Sequence, residues 1–182
     1  MSGAEGEMFI FGGITIRTVE ERDLEPMRAL RNDPTTWTML TDVGMIDDES
    51  QRRWFERVRV ATDRRYYVVC DDDHDFIGIV RTDEIDRVNR SIRVGADIAR
   101  QLRGRGYGRK VYRLLKKYCF DYLNVHRIWL AVLDTNDAGR KLYETEGFQV
   151  EGKYREGVFR DGKYRDYILM SILEQEYRSG QG

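Results

Sequence analysis

Cysteine, histidine and proline are scarce in this chain: two Cys, two His and two Pro among 182 residues. Cys70 and Cys119 alone supply no disulfide framework and no cysteine-rich zinc pattern. His74 and His126 are too few and too far apart for a zinc-hydrolase pair, so no metal is expected. With prolines only at 26 and 34, there is no proline-rich linker to split the chain. No apolar run approaches the ~18 residues of a membrane span, and no signal peptide opens the sequence; a soluble, cytoplasmic protein without membrane partners is the expectation. An excess of one charge is also missing. The 31 Lys+Arg and 32 Asp+Glu leave a net charge of −1, which disfavours a dedicated nucleic-acid binder. Hydrophobic residues make up 41% and aromatics 12%, enough for a folded core. Charged residues reach 35%, so the surface is densely charged.

Length and the lack of a linker suggest one domain over 14–177. Residues 1–13 are small and Gly-rich and read as an N-terminal tail, although Met8, Phe9, Ile10 and Phe11 could pack onto the body. Residues 178–182 read as a C-terminal tail. Alternation predicts a strand over 14–19. A helix follows, with Asp23 as N-cap, Pro26 in its first turn and Asn32-Asp33-Pro34 as its stop. Residues 35–47 read as an irregular connection and 48–61 as a second helix with Trp54, Phe55 and Val58 on its apolar face. Strands over 66–70, 76–85 and 90–98 form a meander. Residues 107–123 have helical spacing, and 128–133 form an apolar run expected of a strand buried on both faces. A short helix over 137–146 ends at Gly147, and strands over 150–159 and 164–173 flank an Asp161-Gly162 turn. The whole is a mixed α/β sheet with helices on both faces.

The segment Arg100–Lys110, RQLRGRGYGRK, lies between a strand and an amphipathic helix. Gly104, Gly106 and Gly108 remove every second side chain, so the backbone can approach a ligand closely. The free amides of the next helix favour anions, and Arg103, Arg105, Arg109 and Lys110 add positive charge. The chemistry implied is a phosphate or diphosphate cradle. No Gly-Lys-Ser/Thr follows, so it is not a Walker A loop. Arg109 stands where a dinucleotide fingerprint needs its third glycine.

Arg103-x-x-Gly106-x-Gly108 resembles the Q/R-x-x-G-x-G/A motif of the GNAT superfamily of N-acetyltransferases. A second block, from Asn136 through Tyr143 to Gly147-Phe148, is similar to that family's N-x-x-A-x-x-x-Y-x-x-x-G-F pattern, with Gly139 at the alanine position. The C-terminal half looks like the ribosomal-protein and spermidine acetyltransferase branch. Leu30–Pro34 with Gln51-x-x-Trp54-Phe55 looks like enzymes acting on nucleotide-linked amino sugars.

The resemblance implies a GNAT fold: a central, mostly antiparallel sheet with a splayed parallel strand pair at the cofactor site. It implies acetyl-CoA as co-substrate, its diphosphate on the amides of Arg103, Gly104, Arg105, Gly106, Tyr107, Gly108 and Arg109. Its pantetheine arm would run beside Ala96, Asp97 and Ile98, with Asn136 bonding the arm or capping a helix. Tyr143 matches the general acid beside the sulfur. Glu84 is the first candidate base and Asp97 the second, against a water relay; Asp83 reads as a turn residue. The cysteines read as packing residues. The acceptor would be the amine of a polyamine or amino sugar, or a protein N-terminus. Trp37, Met39, Trp54 and Phe159 could line its cleft, and Asp42, Asp47, Asp48 and Glu49 could attract a cation. A homodimer is a further implication. A non-catalytic acetyl-CoA sensor and an RNA-binding module are the alternatives.

Overall fold

The computed structural model describes residues 8–180. The chain runs β1 (Met8–Phe11), β2 (Ile14–Thr18), α1 (Leu24–Asn32), α2 (Pro34–Trp37), α3 (Asp48–Val60), β3 (Arg65–Cys70), β4 (Gly78–Asp86) and β5 (Ser91–Ile98). It continues through α4 (Tyr107–Lys117), β6 (Arg127–Leu133), α5 (Asp137–Thr145), β7 (Gln149–Arg160), β8 (Lys163–Leu173) and α6 (Glu174–Ser179). The strands form one eight-stranded sheet in the order β1-β2-β3-β4-β5-β6-β8-β7. All neighbours are antiparallel except β5 and β6. Among the described residues, no helix is long and apolar enough to cross a membrane.

Strand alternation sorts the core onto two faces. Val68 and Ile79 pack with Met27 and Leu30 of α1. Their neighbours Val69 and Val80 point the other way, against Leu114 and Leu115 of α4. β6 follows the same rule rather than being buried on both faces: Ile128, Leu130 and Val132 enter the core, while half-buried Ala131 faces a cleft and half-buried Trp129 lies under the Arg93 guanidinium. The apolar run therefore reflects one core face and one cleft floor.

The stretch read as a tail contributes β1, whose Phe9 packs edge-on against Tyr122 with ring centroids 4.9 Å apart. Residues 1–7 and 181–182 lie outside the described residues. At the other end α6 is held by Arg178, which donates to Asp121 at 2.6 Å. Asp23 stands at the N-cap of α1 as expected, but its side chain makes no capping bond to that helix. Its carboxylate takes two 2.7 Å bonds from the Arg17 guanidinium and a 2.8 Å bond from the Glu20 amide. A bidentate, charge-assisted partner outcompetes the helix amides. α3 is capped by Asp47, which accepts from the Ser50 amide at 2.6 Å. The helix read over 107–123 changes to a π turn over Tyr118–Tyr122. The Asp161-Gly162 turn has both φ positive, +49° and +73°, as a two-residue hairpin requires.

β5 and β6 pair only at Ser91–Arg127, Ile92–Ile128 and Arg93–Trp129. Beyond them the two strands part, each still held on its outer side, β5 by β4 and β6 by β8. The parting leaves a wedge whose walls carry unpaired backbone amides and carbonyls.

Candidate active site

The glycine loop stands at the wide end of this wedge. Gly104 and Gly106 have φ of +76° and +86°, and no heavy atom lies within 4 Å of where a Cβ would sit on either. Left-handed backbone of this kind costs a non-glycine residue ~1–2 kcal/mol. Gly106 is also the N-cap of α4 and brings no side chain to its amides, so the first amides of the helix have no acceptor within it. An open concavity of free N–H groups at a positive helix end is a receptor for anionic oxygens.

The arginines of the loop divide their work. Arg103 is a clip: it donates to the Ile98 carbonyl at 2.8 Å, to Thr35 Oγ1 at 2.8 Å and to Thr36 Oγ1 at 2.6 Å. It ties the loop to the end of β5 and to α2. Arg109 lies 3.5 Å from the buried Glu146 carboxylate, which Lys116 also pairs at 2.9 Å. Arg105 is exposed at the rim. Tyr107 donates to Asp71 at 2.8 Å, and that bond raises its pKa.

From the wedge a cleft of about 480 Å³ extends along β4 and β5 beneath α1 and α3. Asn136 and Tyr143 line it, with Ala96 and Asp97 from β5. Asn136 Oδ1 accepts the Gly139 amide at 2.9 Å, so it caps α5. A Cβ at 139 would lie 2.8 Å from Asn136 Nδ2. The glycine at the family's alanine position thus gives the Asn136 side chain its room. Tyr143 stacks edge-on with Tyr112 at 4.9 Å and is hydrogen-bonded to it. Burial raises the Tyr143 pKa, with Asp97 adding to the rise and the Tyr112 bond and Arg81 opposing it. The phenol therefore keeps its proton at neutral pH.

Four charged side chains from two strands meet in the cleft. Arg81 lies 3.7 Å from Asp97 and 3.5 Å from Asp83, and Arg93 lies 3.8 Å from Asp83. Gly95 makes the arrangement fit, because a Cβ there would be 2.7 Å from the Arg81 guanidinium carbon. Burial lowers and the two aspartates raise the Arg81 pKa, with a net rise. Burial raises the Asp83 pKa against the pull of Arg93 and Arg81. Asp83 Oδ1 and Asp97 Oδ2 are buried without a hydrogen-bond partner.

Glu84 is not in this cleft. A register shift between Asp83 and Asp86 gives it φ +48° and turns it outward, 56% exposed and paired with Arg93 at 3.0 Å. The bulge reverses the expected roles of the two neighbours: Asp83 lines the cleft and Glu84 lies outside it. Met39 and Trp54 line the cleft; Trp37 and Phe159 do not, and Phe159 packs on Tyr164 at 5.2 Å instead. Of the acidic group around α3, Asp47 caps, while Asp48 and Glu49 pair with Arg52 and Arg53 at 3.1 and 2.6 Å. Only Asp42 of that group reaches the cleft. Arg81, Arg93, Tyr112 and Tyr167 were invisible to motif reading, while Gln51 belonged to the Gln51-x-x-Trp54-Phe55 pattern. The one signal for Arg81 was a charged residue between Val80 and Thr82 in a central strand, with Asp83 two residues on along the same face.

Cys119 lies in the core with burial pushing its thiol up to about 12, and half-buried Cys70 is also raised by burial. Neither is poised as a nucleophile.

The sheet thus splits beside a glycine turn suited to anionic oxygens, and a protonated tyrosine lines the charged cleft that adjoins the split. Comparison with known proteins gives the family. A model described as an acetyltransferase (GNAT) domain matches residues 14–149. The spermidine N(1)-acetyltransferase of Vibrio cholerae is 31% identical over 165 residues, 90% of this chain and 95% of that protein. The L-amino acid N-acetyltransferase AaaT of Escherichia coli is 29% identical over 139 residues, 75% of this chain and 83% of that one. A crystal structure of spermidine N-acetyltransferase from Vibrio cholerae with CoA and spermine superposes with a TM-score of 0.87 and 29% identity, over 91% of this chain and 98% of that one. The chain belongs to the GNAT acetyltransferase family and is an acyltransferase.

Proposed function

We propose that the protein transfers acetyl from acetyl-CoA directly to a primary amine. The observation that carries this reading is the wedge between β5 and β6, which opens from Gly106 at one end to Tyr143 at the other. Amides of residues 104–109 receive the diphosphate. The unpaired edge of β5 at Ala96–Ile98 and the free Nδ2 of Asn136 suit the amide-bearing arm. The amine nitrogen attacks the thioester carbonyl carbon, a C–N bond forms and the C–S bond breaks. The ammonium proton leaves through water to a cleft carboxylate, for which buried Asp97 is better placed than outward-turned Glu84. The departing thiolate takes the phenolic proton of Tyr143, which solvent restores.

The acceptor is the amine of a small molecule or a protein N-terminus. The spermidine-named relative supports a polyamine, and the AaaT relative supports an amino acid. The test is CoA-thiol release from acetyl-CoA across polyamines, amino sugars, amino acids and peptides with free N-termini. Release with one class, lost in Tyr143→Phe, is expected. Failure to bind acetyl-CoA at all would overturn the reading.

A further inference from the structure

The walls of the cleft carry four arginines, Arg31, Arg57, Arg81 and Arg93, against three aspartates, Asp42, Asp83 and Asp97. Each aspartate already has an arginine beside it: Asp42 lies 3.8 Å from Arg31, Asp83 is flanked by Arg81 and Arg93, and Asp97 by Arg81. Exposed Arg57, on α3, forms no ion pair among the described residues. Arg81 is the more telling of the two. It is half-buried against Gly95, its ion pairs are 3.5 Å and longer, and it donates no hydrogen bond among the described residues. A guanidinium has five donors and holds anionic oxygens best in pairs. Facing it, Asp83 and Asp97 each keep a buried oxygen without a partner. The cleft thus offers unmet donors and unmet acceptors together.

A polycation would leave the Arg81 donors unmet. We propose that the acceptor is a small amphoteric amine, one that carries anionic oxygens, carboxylate or phosphate, besides the amine. The anion binds Arg81, with Arg57 at the rim drawing it in, and the ammonium rests between Asp83 and Asp97 before losing its proton. Trp54 and Tyr66, T-stacked at 4.8 Å along the same cleft, offer an aromatic wall to a flat or apolar body on the substrate. This inference rests on the transferase reading and names its substrate class.

The experiment compares matched pairs that differ only in the anion: phenylalanine against phenethylamine, and glucosamine 6-phosphate against glucosamine, with spermidine as the polycation. kcat/KM is read by thiol release, and binding by calorimetry in the presence of CoA. At least one anionic member should exceed its anion-free partner and spermidine by about tenfold or more, the worth of one hydrogen bond to a charged group. The pair that responds tells carboxylate from phosphate. Arg81→Gln should erase that preference while the KM for acetyl-CoA holds. Arg57→Gln, on an exposed helix face, should reduce it severalfold and serves if Arg81→Gln does not fold. Preference for spermidine, equal rates within both pairs, or no binding of either anionic amine would overturn the amphoteric acceptor. Absent acetyl-CoA binding would instead overturn the transferase reading beneath it.

Discussion

The two ends of the proposed active site are built from different materials. The donor end is backbone: a left-handed glycine turn, helix amides and an unpaired strand edge. The acceptor end is side chains: Arg81, Asp83, Arg93, Asp97 and an aromatic rim. A backbone site depends on conformation, so it demands glycine at set spacing and leaves a local motif in the sequence. A side-chain site depends on strands meeting in space. Its members come from α1, α3, β3, β4 and β5, and no local spacing records them. The difference teaches where in this fold specificity is free to change: the acceptor wall can be rewritten without touching the donor loop.

Mutations at each end should therefore move different constants. The largest effect is expected from Gly106→Glu. At φ +86° it adds left-handed strain and places a carboxylate in the anion cradle. Acetyl-CoA affinity should fall ~100-fold or more, ~2.7 kcal/mol, with the far-ultraviolet spectrum unchanged. Unchanged affinity in a folded variant would break the donor side of the comparison.

Tyr143→Phe comes next. Loss of a general acid should lower kcat by ~100-fold or more, while acetyl-CoA binding stays near wild type. Because burial raises this phenol, its protonated form persists as pH rises, and kcat should show no alkaline decline below the ordinary tyrosine value of about 10. An alkaline limb in kcat well below that value, absent in the phenylalanine variant, would contradict the assignment.

Arg103→Ala sharpens the comparison, since its guanidinium clips the loop to α2 and β5 and does not line the cleft. Losing these charge-assisted bonds should raise the KM for acetyl-CoA ~tenfold and leave the acceptor KM alone. An equal rise in both would mean that the two ends are coupled through α2.

Glu84→Gln should do the least, under ~2-fold in kcat, because an exposed ion pair outside the cleft contributes little. A loss like that of Tyr143→Phe would restore Glu84 as the base.

The same contrast explains what the sequence could reveal. Strand and helix placement followed from alternation and helical spacing, and the parallel β5–β6 pair and mixed sheet emerged as the motifs implied. Arg103, Gly106 and Asn136–Tyr143 announced themselves through spacing. Asp23 takes the expected N-cap position, but a cap and a buried ion pair use the same residue type, and only the distant Arg17 decides where its carboxylate bonds. Glu84 and Asp83 were exchanged because a bulge shifts strand parity by one, and a bulge has no simple sequence sign. β1 was hidden because its residues are exposed on an edge strand, where alternation carries no burial signal.

The central claim is that donor grip lies in the glycine-turn backbone, apart from the charged wall that faces the acceptor. Calorimetric titration of acetyl-CoA into the wild-type protein, Gly106→Glu and Arg81→Gln tests it in one series. Binding should vanish in the first variant and match wild type in the second. Wild-type affinity in Gly106→Glu, or affinity lost in a folded Arg81→Gln, would contradict it.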